Sequence, residues 1–289
     1  MRALIQIHFC VFLWGFTAIL GKAITLGALP LVWWRVILVT TALLLFRPFW
    51  KGLALLSPRL IATYAGIGII VAVHWLTFYE SVKLSNASIA ATCMAIVPIF
   101  VAFLEPVMVG RGFAVSEVVF GVAAVPGVAL VVGGTPTPMR AGLALGVIAA
   151  FLGAVFGILN KRYIEYGGAL TVTGLEMAAG SVCVTAIGIT LRASEPVFII
   201  LPTAHDAILL LVLALGCTLV PFALSLVAQR ELSAFTTALA VNMEPVYAIM
   251  LAIIFLGEQH ELTWAFYAGV VVVFVVVFSH PLLMQKEKG

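Results

Sequence analysis

AFTTALAVNMEPVYAIMLAIIFLGE, residues 234–258, is an apolar stretch with a proline near its middle and a glycine at its exit. An earlier stretch, ASIAATCMAIVPIFVAFLEPVMVGR at 87–111, matches it at a constant shift of 147. That shift aligns Ala87 with Ala234, Ala91 with Ala238, Pro98 with Pro245 and Gly110 with Gly257. Alanine matches carry little weight in an Ala-rich chain, whereas a proline and a glycine both in register carry more. Hydrophobic segments interrupted at corresponding places in two halves of one chain point to a repeat-built membrane protein with a binding site at the breaks.

Composition sets the solvent. Hydrophobic residues make up 64% of the 289 residues and charged residues 9%, with a mean hydropathy of +1.23. A soluble domain is nearer half apolar and a quarter charged, so this chain cannot coat a water-facing surface and belongs in a bilayer. No polar basic run with interleaved aromatics occurs, which excludes a nucleic-acid partner. Cys10, Cys93, Cys183 and Cys217 all fall in apolar spans without metal-ligand or CxxC spacing, so they read as small buried hydrophobes. No metal and no cofactor is expected. The apolar run after Met1-Arg2 continues to about Leu20, too long for a signal-peptide core, and reads as a first span that is retained.

At roughly 20 apolar residues per crossing, the chain reads as ten spans: 3–21, 29–46, 60–79, 87–109, 115–133, 141–159, 170–190, 207–226, 234–256 and 263–280. Ten spans put both termini on one side, together with Arg47, Lys51, Arg59, Arg111, Lys161, Arg162 and Arg230. The other side holds only Lys22, Lys83, Arg140 and Arg192. The positive-inside rule then places both termini in the cytoplasm. Further matches follow the repeat: Lys22 with Lys161, Arg35 with Glu176, and Lys83 with Arg230. Five spans per half is odd, so the second half enters from the opposite face. The expected fold is an all-α polytopic membrane protein of ten transmembrane helices. Its two inverted-topology five-helix repeats, at 1–138 and 139–289, form one integral membrane unit.

Pro98 and Pro245 are expected to kink their helices and free the carbonyls of Met94 and Val241, shaping or hinging a cavity. Glu244 lies about ten residues, roughly 15 Å, from its span's cytoplasmic end. A mid-depth carboxylate is paired, protonated or lines a watery path. Thr237 and Tyr247 share its helical face and Asn242 is near, making this the most polar mid-depth patch. Its counterpart in the first half is Val97. Arg35 has Glu80 or a substrate carboxylate as its expected partner, and Glu176 is level with Lys161 and Arg162. Arg35, Glu80 and Glu176 are thus candidate gate ion-pair residues. Trp75 and Tyr79, one turn apart with His74 beside them, suit either stacking on a cationic or apolar ligand or an interfacial aromatic belt. Glu105-Pro106 is expected close enough to the cytoplasmic face to reach water.

Together these features resemble the EamA-type family of the drug/metabolite transporter superfamily: ten spans, Trp14-Gly15 in span one, Arg35 early in span two, and Pro245 separated by twelve residues from Glu258, which closes an L-G-E. The resemblance covers about residues 3–280. The first half departs from it, with Arg111 where the family has a glutamate after the glycine. The resemblance implies a ten-helix basket that carries small metabolites, often outward, and often amino acids or their relatives. It implies a prokaryotic inner (plasma) membrane and adds Trp14 to the substrate-binding candidates. Alternating access around a midplane cavity, with protons as a coupling ion, is the expected mechanism. The alternative is a facilitative uniporter or importer of an amine, sugar or nucleotide-type metabolite.

An intramembrane enzyme would need clustered nucleophile and base or metal ligands, and no HExxH or GxSxG occurs. A channel would need a pore ring or filter-like loop, and none is visible. The expected partners are a small-molecule substrate and the lipid bilayer, and nothing in the sequence specifies an oligomeric state.

Overall fold

In hydrocarbon every backbone N–H and C=O must be satisfied inside the chain, so apolar runs of this length become helices. The computed structural model describes residues 2–110, 112, 115–191, 200–229, 231–232 and 240–286. In chain order it builds α1 (Arg2–Ala23), α2 (Ala28–Leu44), α3 (Arg47–Leu53), α4 (Pro58–Leu84), α5 (Ala87–Met94), α6 (Val97–Val109) and α7 (Val115–Gly134). Then come α8 (Arg140–Tyr163), α9 (Ala169–Leu191), α10 (Ala204–Leu211), a π-helical stretch Val212–Leu219, α11 (Val220–Gln229), α12 (Glu244–Leu256) and α13 (Trp264–Lys286). The chain is an all-α polytopic membrane protein. Among the described residues, six helical segments are long and apolar enough to cross a bilayer, and α2 with α3 makes a further, sharply bent pair at 86°. The connection expected after span two therefore contains a short helix, started by Pro48 in its first turn, where a missing N–H costs nothing.

The paired prolines interrupt the regular α-helical bonding of their segments. Helix α5 stops at Met94 and α6 starts at Val97, with Pro98 in its first turn, while 87–109 still runs as one span. Likewise α12 starts at Glu244, with Pro245 in its first turn. A first-turn proline needs no hydrogen-bond partner, and its fixed φ favours starting a helix there. Prolines that do lie in helix interiors are Pro106, buried in α6, and Pro126 of α7.

The two breaks share their hydrogen bonding. Ile96 N donates to Cys93 O (3.2 Å) and Phe100 N to Ile96 O (3.4 Å); Met243 N donates to Ala240 O and Tyr247 N to Met243 O, both 3.0 Å. Each pair is displaced by the same 147 residues seen in the sequence. Both helices end on a left-handed glycine, Gly110 (φ 79°) and Gly257 (φ 67°), a backbone geometry that only glycine adopts without steric cost.

Packing is arranged around α1, α4 and α8. Helix α1 lies against α11 and α12, α4 against α8 and α9, and α8 also against α5 and α6, while α7 and α13 pair with each other. Small residues allow the closest crossings, as in membrane bundles generally. A Cβ on Gly68 of α4 would collide with the backbone of Glu176 in α9.

One end of the bundle is stitched by polar contacts. Asp206 accepts from Thr25 N (2.8 Å) and Thr25 Oγ1 (2.6 Å). Lys22 Nζ donates to Ser85 O (3.3 Å), and Lys83 Nζ to Ile24 O. Glu258, 1% exposed, accepts from Ala87 N (2.9 Å) and Ser88 N (2.7 Å) at the start of α5. Asn86 completes that cap, accepting from Ile89 N (2.9 Å) and donating to Glu261 (3.0 Å). The acid of the L-G-E sequence thus satisfies two free N–H groups of a helix in the other half of the chain, with the helix dipole aiding it.

Glu258→Ala is expected to lower stability by about 3 kcal/mol, since two buried N–H groups lose a charged acceptor. Glu258→Gln, which keeps one carbonyl acceptor, should lose less. Thermal unfolding in detergent measures both, and equal melting of all three proteins would refute the clamp.

Candidate functional site

The two breaks face one cavity. Trp14, Thr17 and Ala18 of α1, Phe78 of α4, Ala91 and Met94 of α5, and Glu244, Pro245 and Ala248 of α12 line it. Met94 is the last residue of α5 and Glu244 the first of α12. The site is therefore made from the broken ends of two helices. About 190 Å³ of non-atom space, open solvent included, lies between these residues.

One polar atom of the cavity is uncommitted: Trp14 Nε1 is buried and has no hydrogen-bond partner among the described residues. Glu244, half-buried, lines the same cavity. Thr17 is already used, donating to Trp14 O at 2.7 Å. The indole N–H thus remains for whatever enters, beside a carboxylate on the cavity wall.

Behind this cavity lies a buried arginine. Arg35 of α2 is 2% exposed. Its Nε donates to Thr218 Oγ1 (2.7 Å) and its Nη1 to Tyr79 OH (2.9 Å). The guanidinium carbon sits 3.7 Å from the centroid of the Trp75 ring, a cation–π arrangement strengthened by desolvation. Thr218 in turn donates to Leu213 O, five residues back, at 2.7 Å. That i−5 contact belongs to the π-helical stretch 212–219, a widened turn of the kind that frequently re-aims side chains at functional sites. Phe222 meets both Trp75 and Trp14 edge-on, each with centroids 6.0 Å apart. An aromatic chain therefore links the arginine pocket to the cavity wall.

Several expectations change here. Glu80 is not among Arg35's contacts: hydroxyls and an indole face satisfy the guanidinium instead. Glu176 pairs with neither Lys161 nor Arg162. Lys161 reaches Glu105 (3.5 Å) and Arg162 donates to Met108 O (2.8 Å), both at exposed positions. Trp75 and Tyr79 are 5% and 0% exposed, too buried for an interfacial belt, and the cation they hold is the chain's own Arg35. His74 is fastened to α8, its Nδ1 2.7 Å from Ala149 O; a carbonyl only accepts, so Nδ1 carries the proton. Tyr247 packs on α1 beside Gly15 and Phe12 and does not line the cavity, and Asn242 is half-buried in the turn before α12. Thr237 lies outside the described residues, as do Arg111, Arg192 and Arg230.

Thr218, Phe222 and Thr17 were not anticipated, and Met94 only through its carbonyl. A threonine in an apolar run gives no warning of which carbonyl it bonds, because π-helical register depends on packing. Met94 could have been found, since it immediately precedes the repeated break.

Interrupted helices around a mid-bundle cavity that an acid lines are the arrangement of a polytopic membrane protein of the transporter class. The EamA-like transporter family model matches residues 1–133 and again 140–280. The chain belongs to that family, within the drug/metabolite transporter superfamily, whose members move small molecules across membranes. No curated protein matches it. A solved structure described only as a crystal structure of a protein shares 15% identity, covers 99% of both chains and superimposes with a TM-score of 0.63, which bears on the fold alone.

Arg35→Lys should destabilise the protein by about 2 kcal/mol, because an ammonium cannot reproduce the guanidinium's planar stacking and forked bonding. Thr218→Val, which removes both linked hydrogen bonds, should cost about as much. Melting temperatures in detergent test both, and wild-type values would show that the arginine pocket adds no stability.

Proposed function

We propose that this protein is a secondary transporter, working as an exporter, of a small metabolite of the amino-acid or related amine-bearing class. The observation that carries the reading is the pairing, where the two interrupted helices meet, of an indole N–H unpartnered among the described residues with the Glu244 carboxylate on the same cavity wall. Glu244 suits an ammonium or amine group, Trp14 Nε1 an acceptor oxygen, and Phe78 and Met94 an apolar side chain. In this reading the bundle opens alternately to either side to admit and release the metabolite.

Two five-helix repeats of inverted topology, at 1–138 and 139–289, give ten crossings in this reading. Its supports are the duplicated break, with its shared hydrogen bonds, and the two separate family matches. Helix α8 also stands to α5 and α6 as α1 stands to α12. The lysine and arginine bias then orients both termini to the cytoplasm, in a prokaryotic inner membrane. The stitched end, with Asp206 and Glu258, faces outward. Glu244 serves as the substrate or proton-coupling group, and its repeat counterpart Val97 makes that role single rather than paired.

Proteoliposome flux tests the reading with a panel of amino acids, amines, sugars and nucleotides, each with and without a pH gradient. Glu244→Gln is expected to fold normally and to slow transport by about tenfold or more, equivalent to about 1.4 kcal/mol or more. Trp14→Phe, which keeps the ring and removes the N–H, should raise the half-saturating concentration. Wild-type flux by Glu244→Gln across a pH gradient would sink the assignment. Flux indifferent to the gradient in the wild type would instead favour a facilitative uniporter.

A further inference from the structure

A second carboxyl group is buried away from the cavity, with no ion pair to a cation among the described residues. Glu176 of α9 is 1% exposed. Asn160 of α8 is a polar neighbour of its carboxyl group. Yet Glu176 Oε1 and Asn160 Oδ1 are both buried without a hydrogen-bond partner, as is Thr173 Oγ1 one turn earlier on α9. Glu176 Oε1 and Asn160 Oδ1, when the carboxyl is ionised, are acceptors only, so neither can satisfy the other.

The charged and titratable groups on the elements packed here are used elsewhere or face out. From α4, Tyr64 OH is committed to Tyr163 O at 2.7 Å, and Arg59 is exposed. On α8, Lys161 reaches Glu105 and Arg162 reaches Met108 O. Arg47 and Lys51 of α3 are exposed, and Arg35 of α2 is held by Thr218, Tyr79 and Trp75. Tyr166, after α8, is also exposed. The described part of α11 carries no charged residue. The Glu176 backbone is pressed onto Gly68 of α4, which fixes the root of its side chain between α4 and α8.

A lone buried carboxylate is strongly disfavoured in an apolar interior. One ligand removes the charge and supplies a donor to the neighbouring orphan oxygen: a proton. We propose that Glu176 and Asn160 form a proton-binding site, in which a protonated Glu176 donates from Oε1 to Asn160 Oδ1 while the Asn160 amide N–H₂ donates to Oε2. The carboxylate takes the proton from water and becomes a neutral acid; the reverse step returns it to water. The resulting acid–amide pair has two hydrogen bonds in one ring and leaves neither orphan unsatisfied. The site is separate from the Trp14–Glu244 cavity and does not depend on what that cavity carries.

Infrared spectroscopy of the purified full chain in lipid, exchanged between H₂O and D₂O, reads the site directly through the C=O stretch of a protonated carboxylic acid. The wild type is expected to show this band at neutral pH, Glu176→Gln to lose it, and Glu244→Gln to keep it. Asn160→Leu should shift it, because the acid loses its amide partner. Glu176→Gln matches the protonated acid in shape and is expected to fold. If it does not, the Asn160→Leu shift decides alone. Retention of the full wild-type band by Glu176→Gln, or an unmoved band in Asn160→Leu, overturns the proposal. None of these readouts involves transport, so the outcome is independent of the cavity's assignment.

Discussion

A helix that breaks inside a bilayer exposes backbone N–H and C=O groups where no water can meet them, and the fold depends on how those groups are satisfied. At the breaks the answer is local: short i−3 and i−4 bonds close the last turn, and a proline begins the next helix without needing a donor. At the start of α5 the answer is long-range. Glu258, arriving from the far half of the chain, places both carboxylate oxygens on the N–H groups of Ala87 and Ser88. This contact ties the exit of α12 to the entrance of α5. It thereby holds the two broken elements side by side, and the cavity is what lies between them.

The two copies of the broken element share a backbone and differ in chemistry. Their hydrogen bonds, helix lengths and left-handed terminal glycines correspond residue for residue. Their side chains do not: Val97 stands where the second copy has Glu244, and Arg111 where it has Glu258. At both of these positions the acid belongs to the second copy alone. The carboxylate that lines the cavity and the one that clamps the helix start both come from the second copy.

Buried charge is handled in three ways within one bundle. Arg35 is solvated by hydroxyls and an aromatic face and Glu258 by backbone N–H groups, while Glu176 Oε1 has no partner among the described residues. The first two are fully engaged and act as structure. The last keeps unsatisfied atoms, as does the Trp14–Glu244 cavity with its orphan indole N–H, and unsatisfied buried polar atoms are where a ligand or proton gains most. The same comparison separates Glu105, which reaches an exposed lysine, from acids with a role in the interior.

Much of this was legible in the sequence because it follows from local composition and spacing. Membrane residence follows from 64% apolar residues, since no polar coat can be built from the remainder. Family membership follows from Trp14-Gly15, Arg35 and the proline-to-L-G-E spacing. The place of the cavity follows from two prolines in register, because a helix break is a local event. Sequence also marked Glu244 as the mid-depth acid and Trp14 as a neighbour of the site. Partner choice was not legible. Only the tertiary structure decided that Arg35 would lie on Trp75 and bond Thr218 rather than Glu80, that His74 would be tied to α8, and that Glu258 would cap a helix 171 residues away in sequence. Partners depend on which helix faces cross and how closely, and that is set by packing of small residues across the bundle, not by the order of residues along one helix.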